Sequence, residues 1–144
     1  MHRKALENLV SIGSLKPEAP NDQEIRGLIE SGRKRLADAK HPALSLESRF
    51  DLGYNAAHSL ALAALRRMGF RSENRFTVFQ CLVHTAGLSP IQIRILSDAH
   101  NRRNKSEYDG SLDMNENLVE SLIRTASQLL EILAGQNAPP RKSR

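Results

Sequence analysis

The sequence predicts an all-α protein, an antiparallel bundle of four to five helices. Apolar residues recur at steps of three and four along most of the 144 residues, while glycine and proline sit mostly between those stretches. Aromatic residues make up only 4% of the chain and Trp is absent, so the core must be largely aliphatic. This length supports one core and not two. Residues 1–20 read as an N-terminal arm with a short helix, 21–135 as the bundle, and 136–144, "QNAPPRKSR", as a disordered basic tail.

In the arm, Leu6, Leu9, Val10 and Ile12 form one apolar stripe, enough to dock a short helix. The first long helix starts after Asn21, with Glu24 as the second half of a capping box, and ends at His41-Pro42. It carries Ile25, Leu28, Ile29 and Leu36 on one side. The second begins after Ser45, an N-cap residue with Glu47 in the favoured first turn, and stops at Gly69. Phe50, Tyr54, Ala57, Ala61, Ala64 and Met68 run along it as a narrow, mostly small-residue seam that lets a neighbour come close. A third helix, roughly Asn74 to Thr85, turns Phe76, Phe79, Leu82 and Val83 inward and stops at Gly87.

Ser89-Pro90 then opens a fourth helix, with proline in its first position. Its start, "IQIRIL", alternates like a strand, but a lone strand has nothing to pair with, and Ile91, Ile95, Leu96 and Ala99 suit a helical face. Asp113 and Glu116 open the last helix as a second capping box. Leu118, Leu122, Ile123, Ala126, Leu129, Leu130 and Leu133 make it the most strongly amphipathic segment, ending at Gly135.

Composition excludes several kinds of function. Cys81 is the only cysteine, so there is no internal disulfide and no thiolate zinc site; in "VFQCLVH" it reads as a buried thiol. The longest apolar run, Leu60 to Leu65, falls far short of the ~20 residues of a membrane helix, and the N-terminus lacks the apolar stretch of a signal peptide. A cytoplasmic protein is expected. The glycines form no phosphate loop, no histidine pair has metal-ligand spacing, and no cofactor is called for. A helix-turn-helix around Gly87 is a weak alternative, because the N-terminal part of its second helix is too apolar to face a DNA groove. The net charge of +5 suits an anionic partner.

Two polar groups stand out. Glu47, Asp51, Asn55 and His58 are spaced to share one side of the second helix; such a stripe is ordinarily a solvated face, yet His58 lies where the helix turns apolar nearly all round. The stretch "HNRRNKSEYDG", residues 100–110, concentrates His100, Arg102, Arg103, Asn104, Lys105 and Tyr108 near a helix end. Cations there are favoured by the helix dipole, which accounts for the lysine and one arginine. Asn104 and Tyr108 are not accounted for in that way, and arginine is the side chain best shaped to hold a phosphate.

The layout of helices, together with "SLESRFDLGYNAAHSLALAALRRMGFRSENR" and "AHNRRNKSEYDG", resembles the HEPN superfamily of small helical bundles over roughly residues 20 to 134. The resemblance implies a homodimer and an RNA-related role, in many members that of a metal-independent endoribonuclease of toxin-antitoxin or phage-defence systems. The family signature is an arginine, often followed by a polar residue, with a histidine a few positions on. Arg103 and Asn104 match its first part, and Tyr108 stands where the histidine would be. The nuclease reading therefore gives Arg103 the phosphate, Asn104 a positioning role, Tyr108 phosphate binding or weak proton donation, and His100 the role of base. Asp51, Asn55, His58 and Arg102 are secondary cleft candidates. The alternative is a non-catalytic module for RNA, nucleotide or a partner protein. A third reading makes Tyr108 the target of a partner nucleotidyltransferase acting as antitoxin.

Overall fold

The computed structural model describes residues 3–109 and 115–136, the side chains of 106–109 excepted. It is mostly helical. In chain order the elements are α1 (Arg3–Ser11), β1 (Lys16–Pro17), α2 (Asp22–Ala39), α3 (Leu46–Arg67), β2 (Phe70–Arg71), α4 (Arg75–Gln80), α5 (Leu82–Thr85), α6 (Pro90–Asp109) and α7 (Glu116–Gln136). Among the described residues no helix is long and apolar enough to cross a membrane.

Local chemistry sets the helix starts. The side chains of Asn21, Ser45, Asn74 and Asn115 each accept a hydrogen bond from the backbone N–H three residues on, satisfying a donor with no intrahelical partner. Ser89 and Gln92 close a reciprocal capping box at α6. Two expected boxes resolve otherwise. Glu24 reaches away from the Asn21 backbone to bond Arg66 and Arg71. At α7 the cap is Asn115; Asp113 lies outside the described residues. Gly69 and Gly87 have φ of +92° and +68°, left-handed values that stop α3 and follow α5.

The long helices alternate in direction. Arg49 at the start of α3 bonds the Ala39 carbonyl at the end of α2, and Arg66 at the far end of α3 bonds Glu24 at the start of α2. On its other sides α3 meets α6 in the opposite sense, through Tyr54 with His100 and Asp51 with Arg103. It meets α7 in the same sense, through Arg49 with Glu120 and Arg67 with the Leu133 carbonyl. α3 is thus the central element, and Phe50, Tyr54, Ala57, Ala61 and Ala64 of its seam are all buried.

On another side of α3, around Ala56 and Leu60, α2 comes close at Gly32. A Cβ there would lie 2.6 Å from Leu60 Cγ and 3.3 Å from the Ala56 carbonyl oxygen. Overpacking of this kind costs about 1–3 kcal/mol, against a gain in helix propensity of about 1 kcal/mol. Gly27 on the same helix is exposed with nothing within 4 Å of a built Cβ. Gly32→Ala is therefore expected to lower the urea midpoint of unfolding and Gly27→Ala to raise it; shifts of equal sign would refute the close-approach argument.

Several apolar positions depart from the sequence expectation. Phe76, Val83, Ile91 and Ile12 are exposed. The stretch expected as one helix over 74–85 breaks at Cys81, where the His84 N–H bonds the Cys81 carbonyl in a tightened turn that redirects Val83, while α4 before the break buries Val78 and Phe79 and leaves Phe76 outside. Ile12 lies beyond the end of α1, and Leu6 and Leu15 dock the arm instead. The arm is also held by an antiparallel ladder that the sequence reading lacked: Lys16 opposite Arg71 and Pro17 opposite Phe70. Beneath it lies Arg66, fully buried, whose guanidinium donates to Glu24 and to the carbonyls of Glu18, Ala19 and Phe70. Hydrogen bonds from Arg71 and then Arg66 hold the Glu24 carboxyl below its ordinary pKa, against the opposing effect of burial.

Candidate functional site: a cation-lined cleft between α3, α4 and α6

The polar residues singled out on α3 and α6 meet because the two helices run antiparallel at this end. His100 lies at the centre. Its Nδ1 is 2.9 Å from the Tyr54 phenol oxygen and its Nε2 is 3.1 Å from the Asn104 amide nitrogen. An amide N–H can only donate, so Nε2 accepts, and the neutral ring then carries its hydrogen on Nδ1 and donates it to Tyr54. Burial, then the charges of Arg75 and Arg103, push the His100 pKa below its usual value, which favours this neutral form.

Two arginines flank the histidine. The Arg103 guanidinium carbon is 5.0 Å from the centre of the Tyr54 ring and that of Arg75 is 5.5 Å from the same ring, both within cation–π range. Asn55 accepts a hydrogen bond from Arg75 at 3.1 Å and donates to the Asp51 carbonyl, so it holds Arg75 in place. The Asp51 carboxylate lies 3.9 Å from Arg103. Tyr54, Arg75, His100, Arg103 and Asn104 line an open cavity of about 230 Å³. Among the described residues it has two guanidiniums, an imidazole whose neutral form is favoured, and one carboxylate at the edge, a set that suits an anion bound through a fork of N–H donors.

Of the candidates from sequence, Arg103, Asn104 and His100 share this cavity, with Asp51 and Asn55 at its margin. His58 lies behind it: its ring meets Phe79 edge-on at 6.1 Å, and Phe79 also abuts His100 at 6.3 Å. Burial first, then the charges of Arg75 and His100, lower the His58 pKa to about 4. Arg102 lines a different cavity with Asp98, Asn101, Lys105 and Leu118. The side chain of Tyr108 lies outside the described residues.

Sequence reasoning missed two members. Tyr54 was assigned to the seam, and it is buried there, yet a phenol among alanines needs a partner for its hydroxyl. Arg75 also left a signal: as the first residue of α4 it puts a cation at a helix start, which the dipole disfavours, so another contact must hold it. Among the described residues no three His, Cys, Asp or Glu side chains come together as a metal site.

No family model matches the chain, and no curated protein or solved structure is significantly similar to it. Fold and cleft together define a class in physical terms only: a helical bundle with a compact, arginine-lined cavity centred on a neutral histidine.

Proposed function

We propose that the protein is HEPN-like and acts on RNA, gripping a backbone phosphate in the cleft between α3, α4 and α6 and cleaving the chain beside it without a metal ion. The observation that carries this reading is the convergence of Arg75 and Arg103 on the Tyr54 ring beside His100. In this mechanism the guanidiniums hold the phosphate oxygens and stabilise the charge that builds on them. His100, neutral near pH 7, takes the 2′-hydroxyl proton on Nε2 once the Asn104 amide gives way to substrate. The 2′-oxygen bonds to phosphorus as the 5′-oxygen leaves; the leaving oxygen is protonated from water, and His100 returns its proton to solvent. Tyr54 orients the ring from the Nδ1 side.

One observation favours a second reading, a non-catalytic binding module: both His100 ring nitrogens already have protein partners. The deciding experiment incubates the protein and an Arg103→Ala variant of equal helical content with total RNA in excess chelator, and follows both binding and cleavage. Cleavage leaving 2′,3′-cyclic phosphate ends, with a loss of about ten- to a hundredfold in Arg103→Ala from the missing charge-assisted hydrogen bonds, is the expected result. Binding that Arg103→Ala weakens, without cleavage, would select the module. No binding by the unaltered protein would end the RNA reading.

A further inference from the structure

Beside the cleft lies a groove with exposed apolar residues, Phe76 and Val83. Phe76 is 43% exposed, and its ring centre lies 6.1 Å from that of His100, tilted by 45°. It is adjacent to Arg75 in the first turn of α4, so aromatic ring and phosphate-facing cation are carried by one rigid turn. Beyond Phe76 the groove, about 450 Å³, is walled by Val83, Pro90 and Ile93, with Arg94 among its lining residues. A hydrogen bond of 2.8 Å from the Gln80 amide to the Ser97 hydroxyl adds two polar groups to the lining. Its volume is in the range of small-molecule pockets.

We infer that this groove is a nucleobase subsite, in which Phe76 stacks the base of the nucleotide whose phosphate lies between Arg75 and Arg103. The inference rests on the phosphate-binding reading above and adds a selection to it. A base inside a duplex is covered by its neighbours and offers no face to an aromatic side chain, whereas an unpaired base does. The cleft is therefore selective for single-stranded RNA.

The test uses two labelled decamers that cannot be cleaved, a single-stranded 2′-O-methyl oligonucleotide and its abasic counterpart with the same phosphates, with affinity read by fluorescence anisotropy. Phe76→Ala is expected to weaken the base-bearing oligomer about tenfold, the effect of one lost stacking contact, and to leave the abasic one unchanged. Phe76→Trp should retain affinity, and Arg103→Ala should weaken both. A Phe76→Ala effect that is absent, or equal on both oligomers, overturns the subsite while the phosphate cleft stands. If the unaltered protein binds neither oligomer, the phosphate-binding reading fails and takes this inference with it. A change in oligomeric state by light scattering, with no base-dependent loss, makes the groove a protein contact and also overturns the proposal.

Discussion

Replacing Arg66 with alanine is expected to cost about 3 kcal/mol of stability, the upper end for hydrogen bonds made by a charged group. The guanidinium is fully buried, and three backbone carbonyls as well as Glu24 accept from it. Its loss leaves the Phe70 carbonyl without its donor in the interior, where the desolvation penalty falls on it, and removes three further charge-assisted bonds to partly exposed acceptors. Arg66→Lys recovers only part of the loss, because one ammonium cannot span four acceptors arranged around a planar fork. Arg71→Ala is the milder control: Arg71 pairs with the same Glu24 but is half-buried. Urea unfolding should rank the variants in that order. Limited proteolysis of Arg66→Ala should cut first between residues 13 and 20, the segment whose carbonyls Arg66 holds. An Arg66→Ala protein as stable as Arg71→Ala would show that water or a rearranged arm replaces the bonds.

The second large effect is on pH dependence. His58 has a folded-state pKa of about 4, against ~6.5 when unfolded. As the pH falls through 6.5 the unfolded chain takes up a proton that the folded protein refuses, so the unfolded state binds more protons and stability falls with pH. The contribution is complete above pH ~6.5, declines down to pH ~4 and is flat below it, amounting to roughly 3 kcal/mol. His100, shifted in the same direction, adds to the slope. His58→Leu should remove most of the difference between stabilities measured at pH 7 and pH 4.5. Parallel pH profiles for the two proteins would mean that His58 titrates normally and that the decline belongs to other groups.

What could be read in the sequence follows the range of the forces concerned. Asn21, Ser45 and Asn74 cap their helices, and Gly69 stops α3, because capping is settled within four residues. The seam of α3 was legible because its spacing runs through five turns. Val83 was misplaced because it lies beyond the turn at Cys81, a break with no glycine or proline to mark it, and Phe76 because α4 buries Val78 beside Phe79 in its stead. The β1–β2 ladder was invisible, as strands of two residues carry no pattern and form here above an arginine that sequence shows only as one of a pair, Arg66-Arg67. In the cleft, Arg103, Asn104 and His100 lie within one turn and a half of α6, and so were found together. Arg75 and Tyr54 are brought to them by tertiary packing, and only the electrostatic oddness of one and the buried hydroxyl of the other hinted at it.

Two of the guanidiniums on α3 also govern how α2 can sit beside it. Where Gly32 of α2 meets Ala56 of α3 the contact is small and smooth, and such surfaces offer little resistance to one helix sliding along the other by a turn. Arg49 is riveted to the Ala39 carbonyl at one end of the pair and Arg66 to Glu24 at the other, positions about 25 Å apart along α3. Any slip must break both fastenings at once, because neither guanidinium can follow a shift of 5.4 Å, one helical turn, while keeping its acceptors. The pair is therefore held in a single register by its polar ends, and the small residues between them are free to serve closeness alone.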